Sequence, residues 1–129
     1  MMRALLDTHL LLWAMAASRR LPRPVQTELR DPGNEIYYSA ASVWEIVIKT
    51  GLRRKDFRIN LDDLLKALRE SGFFELPITA LHTIGVSRLP MIHKDPFDRL
   101  LVAQSMAEPM TLLTNDATLA DYWDGVRVV

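Results

Sequence analysis

The sequence predicts an α/β domain in which helices cover both faces of a parallel sheet. Three observations predict it. Short apolar runs of strand character alternate with helix-patterned stretches along the whole chain. The 129 residues suit one domain of ordinary size, with 49% hydrophobic and 25% charged residues. No repeat, low-complexity tract or linker interrupts them, so residues 1–129 are read as a single domain.

The elements follow in order. Residues 3–6 (RALL) read as a short buried strand, with Asp7 and Thr8 at its end, and residues 9–17 as a helix. The surrounding LLDTHLLLWAMAA is broken by Asp7 and His9 and followed by Arg19 and Arg20. It falls short of the ~20 residues of a membrane span and lacks the layout of a signal peptide. No membrane association is expected. Pro22, Pro24 and VQTELRD suggest a second short helix, stopped by the turn signal DPGNE. Residues 36–39 (IYYS) are β-branched and aromatic, hence a strand. Ser39 or Ser42 can cap the helix SVWEIVIKTG, which Gly51 ends. After a basic connection over residues 52–60, Leu61, Leu64, Leu65 and Leu68 form a helical stripe closed by Gly72. FFELPI is the third strand, residues 79–88 a helix, and a loop through Pro90 leads to a helix starting at Pro96. TLLT (111–114) is a strand, ATLADYW a short helix and VRVV the last strand.

Composition excludes several classes of function. Lys plus Arg and Asp plus Glu both number 16, so net charge attracts no polyanion, and nucleic-acid contact would need local clustering. The absence of cysteine excludes disulfides, thiolate zinc sites and cysteine nucleophiles, and fits a reducing cytoplasm.

In open parallel sheets the working site lies beyond the carboxyl ends of the strands. Asp7 follows the first strand, Glu45 lies in the helix after the second, Asp98 opens a long helix, and Asp116 follows TLLT. Most of these acids also have a structural reading. Asp95 fits an N-cap with Pro96 at N1 and Asp98 at N3, where the helix dipole favours negative charge. Ser42 and Glu45 match a capping box, Glu45 can pair with Lys49, and Asp116 sits in turn chemistry, NDAT. Asp7 offers no such reading, and Glu45 interrupts a helix apolar on nearly every side. Four clustered carboxylates repel one another unless a cation intervenes. With no cysteine and no zinc-type histidine spacing, hard oxygen donors favour Mg²⁺ or Mn²⁺, which bind through carboxylates and substrate phosphate. The expected chemistry is metal-assisted phosphodiester hydrolysis.

LLDTHLLLWA, SAASVWEIVIKTG, HKDPFDRLLVAQ and LLTND together resemble a PIN domain, and more narrowly the VapC-like toxin ribonucleases of toxin–antitoxin pairs. The resemblance spans essentially the whole chain. It implies a three-layer α/β/α domain with a five-stranded parallel sheet, an acidic pocket for Mg²⁺ or Mn²⁺, and endonucleolytic cleavage of RNA. The motif acids fall on Asp7, Glu45, Asp98 and Asp116. Asp7 and Asp98 are the first choice as direct ligands, with Glu45 and Asp116 completing the pocket directly or through water. Thr8 and Thr114 match small polar positions that orient carboxylates or water. Asp121, a helical turn beyond Asp116, is expected to be exposed. Homodimerisation and inhibition by a cognate antitoxin are further implications.

Arg53, Arg54, Lys55 and Arg58 form a basic run, either a solvated loop or a phosphate-attracting patch. Lys94 and Arg99 flank the aspartates and are better placed for a scissile phosphate; Arg99 can equally pair with a carboxylate. His9 and His93 flank the acidic motifs, with structural roles expected for both. His82 is read as remote from the motifs, and Trp13, Trp44 and Phe97 as core. Two other doubly wound chemistries fit poorly. A phosphoacceptor domain needs an aspartate after the third strand, where FFELPIT has none. An aspartyl phosphotransferase needs a second acid two residues beyond Asp7, where His9 stands. A binding module without catalysis leaves the four acids unexplained.

Overall fold

The computed structural model describes residues 1–52 and 59–129. The basic run at Arg53, Arg54, Lys55 and Arg58 therefore lies outside the described residues. Among the described residues, five strands and six α-helices alternate: β1 (Arg3–Leu6), α1 (Thr8–Met15), α2 (Arg23–Arg30), β2 (Glu35–Ser39), α3 (Ala40–Gly51), α4 (Leu61–Ser71), β3 (Phe74–Leu76), α5 (Ala80–Val86), α6 (Pro96–Ala107), β4 (Thr111–Thr114) and β5 (Val126–Val128). A 3-10 helix, Ala117–Asp121, stands where ATLADYW predicts a short helix. The sheet is parallel throughout, in the order β3-β2-β1-β4-β5. This is the predicted five-stranded α/β/α architecture.

Alternation along the central strands builds the two outer layers. Ala4 and Leu6 of β1, Ile36 and Tyr38 of β2 and Leu113 of β4 face one cluster, with Leu10 and Leu11 of α1, Val25 of α2, Ile46 of α3 and Leu64 and Leu68 of α4. Leu5 and Leu112 face the other, with Leu76 of β3 and Leu101 and Val102 of α6. Successive residues of a strand point to opposite faces, so a strand buried on both sides is apolar at every position. Each fully buried leucine contributes about 1.5–3 kcal/mol through the apolar surface it removes from water.

Local chemistry sets the helix ends. Asn60 caps α4 by accepting from the Asp63 N–H at 3.0 Å, and Gly72 ends it at φ 78°, a left-handed conformation open to glycine. The predicted leucine stripe is split: Leu64 and Leu68 are buried, whereas Leu61 and Leu65 are exposed. Ser39, not Ser42, caps α3, accepting from the Ala41 N–H at 3.0 Å. Trp44 is another departure, for it is 57% exposed and not core. Among the described residues, no helix is long and apolar enough to cross a membrane.

Candidate active site

The chain runs outward from β1 to β2 and β3, then crosses back through α5 and α6 to β4 on the other side of β1. The carboxyl ends of β1 and β4 therefore flank the point where strand order reverses, the usual place for a site in an open parallel sheet. Asp7 leaves the end of β1 and Asp116 stands two residues beyond the end of β4.

Asp7 is 2% exposed and does two local jobs. Its Oδ1 caps α1 by accepting from the Leu10 N–H at 2.8 Å, and its Oδ2 accepts from Thr114 Oγ1 at 2.6 Å. The expectation that Asp7 lacks a structural role is thus corrected, because α1 begins one residue earlier than predicted and takes Asp7 as its cap. Burial raises the Asp7 carboxyl above its ordinary range, against the pull of the hydrogen bonds from Thr114 and Leu10. Thr114 Oγ1 also accepts from the Asp116 N–H at 3.0 Å, so one hydroxyl ties the two strand ends together.

Asp98 comes from α6. Asp95 caps this helix, its Oδ1 accepting from the N–H groups of Phe97 at 2.8 Å and Asp98 at 3.3 Å, with Pro96 in the first turn. That start turns Asp98 into the pocket. Its carboxyl is pushed up to about 7 by burial first, then by the charges of Asp95, Asp7 and Glu45, with only partial relief from His93.

Glu45 enters from α3, 4% exposed. Thr8 Oγ1 donates to its Oε1 at 2.7 Å, and Lys49 Nζ meets its Oε2 at 2.7 Å, realising the predicted i, i+4 pair. Ser42 does not form the predicted capping box; its Oγ lies 2.9 Å from Thr8 Oγ1 inside the helix. Asp116 caps the 3-10 helix, its Oδ1 accepting from the Thr118 N–H at 2.9 Å, while its Oδ2 lies 2.9 Å from His93 Nε2. Partial burial works against its charge, but hydrogen bonds from Thr118 and His93 outweigh it and hold Asp116 below the ordinary carboxylate range.

The structure thus brings the four predicted acids together at the strand ends, with Thr8 and Thr114 orienting two of them. Ligand-type atoms of His93, Asp98 and Asp116 lie within 4.8 Å of one another, while Asp7 and Glu45 act on Asp98 through their charge. His93, read from the sequence as structural, lies inside the site. Its partner Asp116 is 23 residues away, so no local signal marks the pairing. Lys94 is exposed beside the cluster, and Asp121 is exposed as predicted.

Arg99 is corrected. It is 7% exposed, and its guanidinium donates to the carbonyls of Pro90 at 3.1 Å and Val86 at 3.2 Å, with the Tyr122 hydroxyl at 3.4 Å. It braces the loop before α6 and is neither a phosphate contact nor a carboxylate partner. The physical reason is that Arg99, one helical position past Asp98, faces inward, where the Pro90 and Val86 carbonyls accept from it in addition to the backbone N–H groups of Ile92 and Leu89.

The donor set fits a divalent cation. Two of the carboxylates are held above their ordinary range by burial, Asp98 with mutual repulsion added, and a cation relieves both at once.

Comparison with known proteins agrees with this architecture. No curated protein sequence matches the chain. Among solved structures, the chain is similar to VapBC2 from Rickettsia felis bound to a promoter DNA fragment, with TM-score 0.71, 16% identity, and coverage of 99% of this chain and 98% of that one. DNA-bound VapBC from Salmonella typhimurium gives TM-score 0.69 at 13% identity, covering 100% and 98%. VapBC-1 from nontypeable Haemophilus influenzae gives 0.66 at 14% identity, covering 98% of each chain. At these identities the likeness establishes the fold. Residues 4–123 match the PIN domain family, and since that match covers most of the chain and all four acids, the chain belongs to the PIN domain family.

Proposed function

We propose that this chain is a Mg²⁺- or Mn²⁺-dependent endoribonuclease, the toxin of a toxin–antitoxin pair. The observation that carries the reading is the convergence of Asp7, Glu45, Asp98 and Asp116 on one strand-end pocket, with Asp98 pushed up to about 7. Such a site binds a cation more readily than it stays fully ionised without one.

Asp98 and Asp7 are the first ligands, with Asp116 and Glu45 completing the pocket directly or through water. Thr114 fixes the orientation of Asp7, and Thr8 that of Glu45. When bound there, the cation supplies an acidified water and stabilises the leaving oxygen of a phosphodiester. Lys94, exposed and next in the chain to His93, would meet a backbone phosphate. Arg53 and Arg54 join this reading from the sequence alone. The VapBC likenesses support an antitoxin partner; a homodimer and a cytoplasmic setting belong to this reading from the sequence resemblance alone.

The test is cleavage of single-stranded and structured RNA with Mg²⁺, with EDTA, and by Asp7→Asn and Asp98→Asn proteins. Cleavage is expected only in the Mg²⁺-loaded wild type. Cleavage that survives chelation, or both substitutions, overturns the assignment. Binding of a partner by a protein inert on every RNA would instead mark an interaction module.

A further inference from the structure

His93 stands with Asp98 and Asp116 in a group whose dimensions suit an ion, so it invites assignment as a third ligand. Its hydrogen bonds argue otherwise. The Asp95 backbone N–H donates to His93 Nδ1 at 3.0 Å. A neutral imidazole carries one hydrogen, and the nitrogen facing a donor must present its lone pair. The hydrogen therefore sits on Nε2, the nitrogen 2.9 Å from Asp116 Oδ2 and 3.7 Å from Asp98 Oδ2. A metal ligand needs a lone pair at that same nitrogen. Nε2 can offer one only by moving the hydrogen to Nδ1, where it would face the Asp95 N–H.

That N–H is not free to turn away, because Asp95 is the N-cap of α6 and its backbone is fixed by the helix start. The loop bearing His93 is fixed too: its own N–H donates to the Tyr122 hydroxyl at 2.8 Å, and Arg99 reaches its carbonyl at 3.5 Å. We infer that His93 is a positioning residue, a tautomer-locked Nε2–H donor that fixes Asp116 Oδ2 and stays outside the coordination of any cation in the pocket. This rests on the metal-site reading above and deepens it. It also explains how an exposed-side carboxylate keeps one orientation, with Thr118 holding Oδ1 and His93 holding Oδ2. Outer partners of this kind are typically worth about 10–100-fold in metal affinity.

Two measurements test it. Nitrogen-15 NMR of the histidine rings, with the signal assigned through H93A, reads the tautomer of the metal-free protein directly. A lone pair at Nδ1 and a hydrogen at Nε2 are expected; the opposite tautomer overturns the lock. Mn²⁺ affinity, read from the free-ion EPR signal, then separates the roles. H93Q keeps an N–H donor at the reach of Nε2 and should bind within about threefold of wild type, while H93A loses about 10–100-fold. In a D116N background H93A should cost nothing more, since its effect acts through Asp116. Equal losses in H93Q and H93A, or an additive loss on top of D116N, would show a ligand and sink the inference. Unaltered binding by H93A sinks it as well. If D98N binds Mn²⁺ as tightly as wild type, the metal-site reading fails, while the ring tautomer still decides the lock by itself.

Discussion

Each end of α6 carries a histidine–carboxylate pair, and the two are built on the same frame. At one end, His82 Nδ1 accepts the Thr79 N–H at 3.0 Å and Nε2 lies 2.6 Å from Glu108 Oε2, at the C-cap of α6. At the other, His93 Nδ1 accepts the Asp95 N–H at 3.0 Å and Nε2 lies 2.9 Å from Asp116. In both, the backbone of an N-cap residue chooses the tautomer. The surroundings differ. His82 is 1% exposed, and Gln104 closes its network by joining it to Ser39 and the Pro77 carbonyl. His93 faces a second carboxylate, Asp98, with Asp7 and Glu45 behind it. A histidine–carboxylate pair is therefore not what makes a site. Uncompensated negative charge beside it does.

The largest effect should separate the two ends by activity. Asp98→Asn should lower RNA cleavage by roughly a thousandfold or more, whereas Glu108→Gln should leave it within a few-fold in the same assay. If both substitutions cripple cleavage, the two ends are not functionally distinct. Stability should reverse the ranking. His82→Ala removes a buried imidazole and leaves the Thr79 N–H without its acceptor, and should cost about 2–4 kcal/mol in urea unfolding. A cost below about 1 kcal/mol would show that this network is dispensable.

The Asp98 end should reveal its strain through pH. A carboxyl whose folded value lies near 7 binds its proton more tightly folded than unfolded, so stability falls as pH rises from about 4 through 7. Asp98→Asn cannot ionise. It should therefore stabilise the metal-free protein by on the order of 1–3 kcal/mol at pH 8, a gain that fades towards pH 4. Thermal unfolding of both proteins across that range checks the sign, and a constant difference would refute it. The smallest effect belongs to Asp95→Asn. Asn caps nearly as well, so stability should change by about 0.5 kcal/mol or less and cleavage by a few-fold. A loss matching that of Asp98→Asn would mean the cap and the site are one unit.

What was legible in the sequence was what acts over short range. Alternation of strand and helix, the Asp95 start, the Gly72 stop and the Glu45–Lys49 pair all depend on residues within about four positions of one another. The strand-end acids were legible because sheet topology confines a site to that edge. The misses share a cause. Arg99 is turned inward by carbonyls of Val86 and Pro90, a loop whose course no periodicity encodes. The pairing of His93 with Asp116 needs α6 and β4 folded together. Asp7 lost its structural role on paper because a one-residue error in the start of α1 hides a cap.

The bond from Thr114 to Asp7 spans 107 residues, and β1 cannot complete its second edge until β4 lies beside it. A chain emerging from the ribosome thus holds Asp7 long before it holds the strand that orients it. Local helices form in microseconds, but this closure must wait for synthesis and for the slow search of a distant pairing. The pocket is consequently among the last features to assemble, and an unfinished chain carries its acids without their geometry.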